Sequence, residues 1–97
     1  MRRTVLAAFC ALALPAAAAD YGALVDEPGV AVTYTACTPC HSELMVAQQG
    51  LTRERWDKLI DWMIEDQGMV EPYPEDRQEI LDYLAAHYNT DRPNFPR

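Results

Sequence analysis

Hydrophobic positions recur at helical spacing in two stretches of the chain. After Trp56, apolar residues fall at Leu59, Ile60, Met63 and Ile64 with charged residues between them, the stripe of a helix that buries one face. Thr52 supplies a capping hydroxyl ahead of the stripe, and Gly68 stands at its end, where a residue without a side chain can turn left-handed. The second stripe runs through Ile80, Leu81, Tyr83, Leu84 and Tyr88. Pro72 and Pro74 mark a loop before it, and Glu75-Asp76 put negative charge in a first turn, so a last helix is expected to about Tyr88. Between Gly29 and Cys40 the apolar residues Val30, Ala31, Val32, Tyr34 and Ala36 cluster without strict alternation. This reads as a short helix, with a strand as the alternative because Val and Thr are frequent. No run of alternating strands is present, and the expected fold class is all-α.

The two ends of the chain have a different character. Met1-Arg2-Arg3 is a basic start, Val5 to Leu14 an apolar run, and Pro15 to Ala19 offers an A-x-A cleavage site, which together predict a secretory signal over residues 1–19. The apolar run is too short for a permanent membrane anchor, and Phe9 before Cys10 argues against a lipoprotein. Residues 20–97 are then expected as one exported, periplasmic domain. Within it, Asp20 to Pro28 reads as a loose entry, and Asn89 to Arg97, with Pro93 and Pro96, as an extended tail.

Charge narrows the partners. The 97 residues carry a formal net charge of −7, and cleavage would remove Arg2 and Arg3. Nucleic acid and anionic membranes would be repelled, whereas a basic protein surface would be attracted. Cleavage also removes Cys10 and leaves Cys37 and Cys40 as the only thiols. A domain this small buries too little apolar surface to be comfortably stable alone, so something must add to its core.

The two remaining thiols lie in Cys37-Thr38-Pro39-Cys40-His41. A redox disulfide of this spacing belongs beside a βαβ pattern, which is missing. Structural zinc needs four ligands, and only His87 remains beyond Cys37, Cys40 and His41. A plain disulfide across so short a step closes almost no loop and stabilises little. Covalent haem attachment uses every residue of the motif: both thiols add to the porphyrin vinyl groups, and His41 turns its imidazole onto the iron. One haem c would also supply the apolar centre that the chain lacks.

On these residues the chain resembles class I c-type cytochromes. Gly29 stands eight residues before Cys37, as a glycine of the family's N-terminal helix does, and Ile80-Leu81-Asp82-Tyr83-Leu84 is similar to its C-terminal helix, with Tyr83 the aromatic that crosses the glycine. The resemblance implies three to four helices wrapped around one covalently bound haem. Thr33 replaces the family's aromatic four before the cysteine, with Val32 or Tyr34 as substitutes, and no proline between Ser42 and Arg53 matches the one whose carbonyl orients the histidine. Arg55-Trp56, Asp61-Trp62-Met63, Gln67-Gly68-Met69 and Asp91-Arg92-Pro93-Asn94-Phe95-Pro96 resemble more narrowly the small monohaem subunits of molybdenum sulfite dehydrogenases. That implies an electron carrier, not an enzyme, whose partner performs the oxidation and whose electrons pass on to the respiratory chain.

The second axial ligand decides between electron transfer and ligand binding. Met45, four residues after His41, would stay on the same side of a continuing helix and pack in the core, and Met63 sits in an apolar stripe where methionine is filler. Met69 follows Gly68 in a loop free of helical direction, at the position of the resembled family's ligand loop. His87 is the rival, near the end of the last helix. Tyr73 would donate to the Met69 sulfur and Trp56 to a haem carboxylate, or both are core aromatics with a satisfied polar tip. A haem sensor or peroxidase-like protein with an open distal position is the alternative function. Glu65-Asp66, Glu71 and Glu75-Asp76 bracket the Met69 loop and would either steer docking onto a basic patch of a redox partner or simply be a solvated face.

Overall fold

The computed structural model describes residues 20–93, so the expected signal segment, Cys10 and the end of the tail from Asn94 lie outside the described residues. Four helices and no strand occur among them: α1 (Val30–Cys37), α2 (Leu44–Ala47), α3 (Arg53–Gln67) and α4 (Pro74–His87). The fold class is all-α, and the strand alternative for the first segment is excluded.

Local chemistry sets the helix limits. Thr52 Oγ1 accepts from the Arg55 amide at 3.3 Å, satisfying one of the donors that open α3. Gly68 closes α3 with φ 72°, and the amides of Gly68 and Met69 both return to the Met63 carbonyl. Pro74 opens α4 at a position where a missing N–H costs nothing. Helix α2, a single turn, has no expected counterpart, and α1 stops at Cys37 rather than continuing through the motif.

Helix α4 packs against both α1 and α3. Gly29, at φ 96°, caps α1, and a Cβ built on it would stand 2.8 Å from Tyr83 Cβ, so only glycine permits this approach of α1 to α4. Thr33 is fully buried, with Oγ1 donating to the Gly29 carbonyl at 2.8 Å, so the threonine itself stays in the core rather than ceding its place to Val32 or Tyr34. Tyr34 meets the Tyr21 ring edge-on at 5.6 Å, and Val32 faces the cavity described below. Arg77 ties α4 to α3, reaching Asp57 and Asp61 at 2.7 Å each.

Both terminal segments depart from expectation because polar groups of α4 and its C-terminal end tie them down. The entry is not loose: Leu24 is buried, the Val25 amide donates to Tyr88 Oη at 3.1 Å, and Tyr83 Oη donates to the Val25 carbonyl at 2.8 Å. The tail through Pro93 is turned rather than extended. Asn89 Nδ2 donates to the Ala85 carbonyl, and Arg92 lies over the Tyr88 ring while donating to the Ala47 carbonyl at 2.6 Å.

Candidate functional site

Helix α1 delivers Cys37 at its last residue, and the turn that follows carries Cys40 and His41. All three line one cavity of about 1080 Å³, at the upper end of the range typical of cofactor sites. Its remaining wall is mostly apolar: Val46 of α2; Trp56, Leu59, Ile60 and Met63 of α3; Met69 in the next loop; Ile80 and Leu84 of α4. The two helical stripes and CTPCH thus converge on a single space.

The thiols differ. Cys37 is buried, and burial pushes its thiol up to about 11, because a thiolate loses hydration there. Cys40 is exposed. Neither is bonded to the other. His41 is half-buried, and its Nδ1 lies 3.0 Å from the Ser42 carbonyl. A carbonyl only accepts, so Nδ1 carries the proton and the lone pair is left on Nε2, the form that binds a metal. The Ser42 carbonyl is therefore the backbone group that orients His41, in place of a proline's.

Met69 and Met63 both line the cavity and are partly buried. Met45 departs from expectation: with the helix interrupted after Cys37, it is 55% exposed on α2 and lines the cavity instead of the core. His87 is not brought to this site. Its ring rests 5.1 Å from that of Tyr83, and it lines a separate hollow with Ala23, Tyr88 and Arg92.

Trp56 and Tyr73 both reach the cavity but in different ways. Trp56 is 2% exposed, and its indole N–H donates to the Tyr88 carbonyl at 2.9 Å. Its polar tip is satisfied within the core, which is the second of the two readings open for this residue. Tyr73 is 76% exposed at the rim, and no hydrogen bond from its hydroxyl to Met69 is present. Its exposure rules out the reading as a core aromatic.

No protein-family model, curated protein or solved structure matches the chain.

Four of the large apolar side chains that face solvent, Met45, Trp62, Val70 and Tyr73, belong to the cavity lining. Apolar surface concentrated at one opening marks a place that something covers. Among the described residues no lysine or arginine lines the cavity and Asp76 is its carboxylate, while Thr35, Gln49, Gln67, Trp62 and Tyr73 are neutral donors on the wall. No group of three His, Cys, Asp or Glu able to hold a bare metal ion occurs among the described residues. Trp62 and Val70 were not singled out as site residues from the sequence. A signal existed for Trp62, an indole at a charged position of the α3 stripe, but not for Val70.

Proposed function

We propose that the protein is a periplasmic monohaem electron carrier of the c type. The observation that carries this reading is the meeting of Cys37, Cys40 and His41 with Met69 on the wall of one large apolar cavity. Cys37 and Cys40 would hold the haem through thioethers, and His41 Nε2 and the Met69 sulfur would be its axial ligands. Haem supplies a one-electron couple, and a thioether ligand favours its ferrous state and raises the potential. The residues fit the group in kind. The wall is mostly apolar, the imidazole has its proton parked on Nδ1, and Thr35, Gln49, Gln67, Trp62 and Tyr73 are neutral donors on the lining that carboxylates could meet.

With His41 and Met69 both holding the iron, no position would remain for a substrate, so the role would be carriage rather than catalysis. Export is part of the proposal, since the thiols remain available for attachment only if the signal segment delivers the chain to maturation outside the cytoplasm. The partner would be a redox protein with a basic docking patch, such as the catalytic subunit of a molybdenum sulfite dehydrogenase, with the electron then passed to the respiratory chain. Exposed Trp62, Val70 and Tyr73 at the cavity mouth support this, as do Glu65, Asp66, Glu71 and Glu75, which are exposed on the chain segments flanking Met69: an apolar contact beside negative charge suits a brief, steered encounter.

The deciding experiment is the visible spectrum of the reduced protein, expressed with c-type maturation, with and without carbon monoxide. A sharp ferrous c-type spectrum that carbon monoxide leaves unchanged is expected, and Met69→Ala is expected to bind carbon monoxide and to have a lower potential. A wild-type spectrum that shifts with carbon monoxide would overturn the Met69 assignment and favour a sensor or peroxidase-like role. A colourless protein would overturn the haem.

A further inference from the structure

We propose that Glu43 is a positioning residue for His41, and that Gly22 makes room for it to act. The inference rests on the haem reading of CTPCH and adds how the ligand ring is held.

His41 is oriented through the Ser42 carbonyl, which also accepts from the Met45 amide at 3.1 Å. What fixes that carbonyl is the peptide to which it belongs. Ser42 Oγ donates to Glu43 Oε2 at 2.9 Å and accepts from the Leu44 amide at 3.2 Å, so the serine side chain is pinned on both sides. The other carboxylate oxygen, Oε1, accepts from the Ala23 amide at 3.4 Å, twenty residues away in sequence. Glu43 therefore bridges the ligand segment to the entry segment, which is itself anchored through Leu24 and Val25. Helix α2 starts on this residue, its backbone carbonyl accepting from Val46 and Ala47.

Gly22 is the counterpart. Its φ is 58°, its amide donates to Asp20 Oδ1 at 2.8 Å, and a Cβ built on it would stand 2.7 Å from Glu43 Cδ and closer still to Oε1. Any side chain at position 22 would occupy the place of the carboxylate. The short turn at residues 20–23 thus acts as a seat for Glu43, and Glu43 as a clasp for the Ser42 peptide that receives the His41 proton. A well-aligned Nδ1–H bond makes the imidazole a stronger donor to a metal on its other nitrogen.

The test uses the haem-loaded protein and reads the midpoint potential together with the paramagnetically shifted proton resonances of the His41 ring. Glu43→Ala is expected to raise the potential and move those resonances, because a slack Nδ1–H bond weakens donation to ferric iron. Gly22→Ala, which changes no charge, is expected to shift both in the same direction. Glu43→Gln, which removes the charge but keeps an acceptor oxygen, is expected to stay near wild type. If Glu43→Ala loads no haem, Ser42→Ala removes only the linking hydroxyl and carries the same expectation.

Unchanged potentials and resonances in these variants would overturn the role of Glu43. So would a Glu43→Gln shift as large as that of Glu43→Ala with Gly22→Ala unmoved, which would mean that charge alone is felt. A His41→Ala variant that keeps the wild-type low-spin spectrum would overturn the ligand assignment itself, and this inference with it.

Discussion

Tyr83 is a phenol used as a structural bolt. It is 1% exposed, its Cβ faces Gly29, and its hydroxyl donates to the Val25 carbonyl. Burial, with the Tyr88 hydroxyl nearby, raises its pKa well above the ordinary 10.0. An acid whose folded pKa is raised stabilises the fold fully below its unfolded value and loses that contribution as pH rises toward the folded one. Stability is therefore expected to fall above pH 10, read as the thermal midpoint against pH. Tyr83→Phe should remove part of that alkaline slope while costing about 1 kcal/mol at neutral pH through the lost hydrogen bond. The sequence placed Tyr83 correctly on the α4 stripe but not its hydroxyl, because the partner carbonyl belongs to a segment with no helical or strand signature. Trp56 shows the same limit: a buried indole always seeks an acceptor, but which one depends on where the chain end of α4 passes.

At the scale of elements, the helices whose ends carry capping chemistry were legible. Thr52 and Gly68 bound α3 within a residue of expectation because hydroxyl and glycine act through local geometry alone. Thr52→Ala is expected to cost about 1 kcal/mol in denaturant unfolding, with little change in haem loading. Helix α2 was not legible, since Leu44 to Ala47 is one turn with no periodicity to detect, and the contact of its N-cap Glu43 with the entry segment is distant in sequence. Its position is what turned Met45 from an expected core residue into a cavity residue. The crossing of α1 and α4 depends on Gly29 more than on any apolar pair. Gly29→Ala adds a Cβ at 2.8 Å from Tyr83 to a backbone at φ 96°, and strain plus overpacking predict a loss of about 2–4 kcal/mol. Equal stability of Gly29→Ala and wild type in chemical denaturation would show that the helices can separate without cost.

For the whole molecule, ion pairs engage two of the arginines. Arg53 pairs with Asp82 at 2.6 Å, and Arg77 is held by Asp57 and Asp61, so these cations are committed to carboxylates other than Glu65, Asp66, Glu71 and Glu75, which flank Met69 in the chain. If the mouth is where electrons leave, association with a basic redox partner should slow about tenfold or more between low and molar salt. A second-order rate that is flat across a stopped-flow salt series would make these acidic residues a solvated face only. The convergence of CTPCH, the α3 stripe and the α4 stripe on one cavity could not be derived from any one of them, since it is a property of how α4 packs on both α1 and α3. If haem fills that cavity, the haem-free chain is expected to bind a hydrophobic dye and to unfold at a lower temperature than the loaded protein.

The two indoles give the molecule an optical gauge. Trp56 is sealed at 2% exposure and Trp62 stands half in solvent at 50%, yet both border the same space. In the haem-free chain they should emit at separate wavelengths, one blue and one red. A strongly absorbing macrocycle seated between them would darken both together, so occupancy could be titrated in a cuvette from the protein's own light. A ligand resting only on the rim would dim the red component and leave the blue one shining.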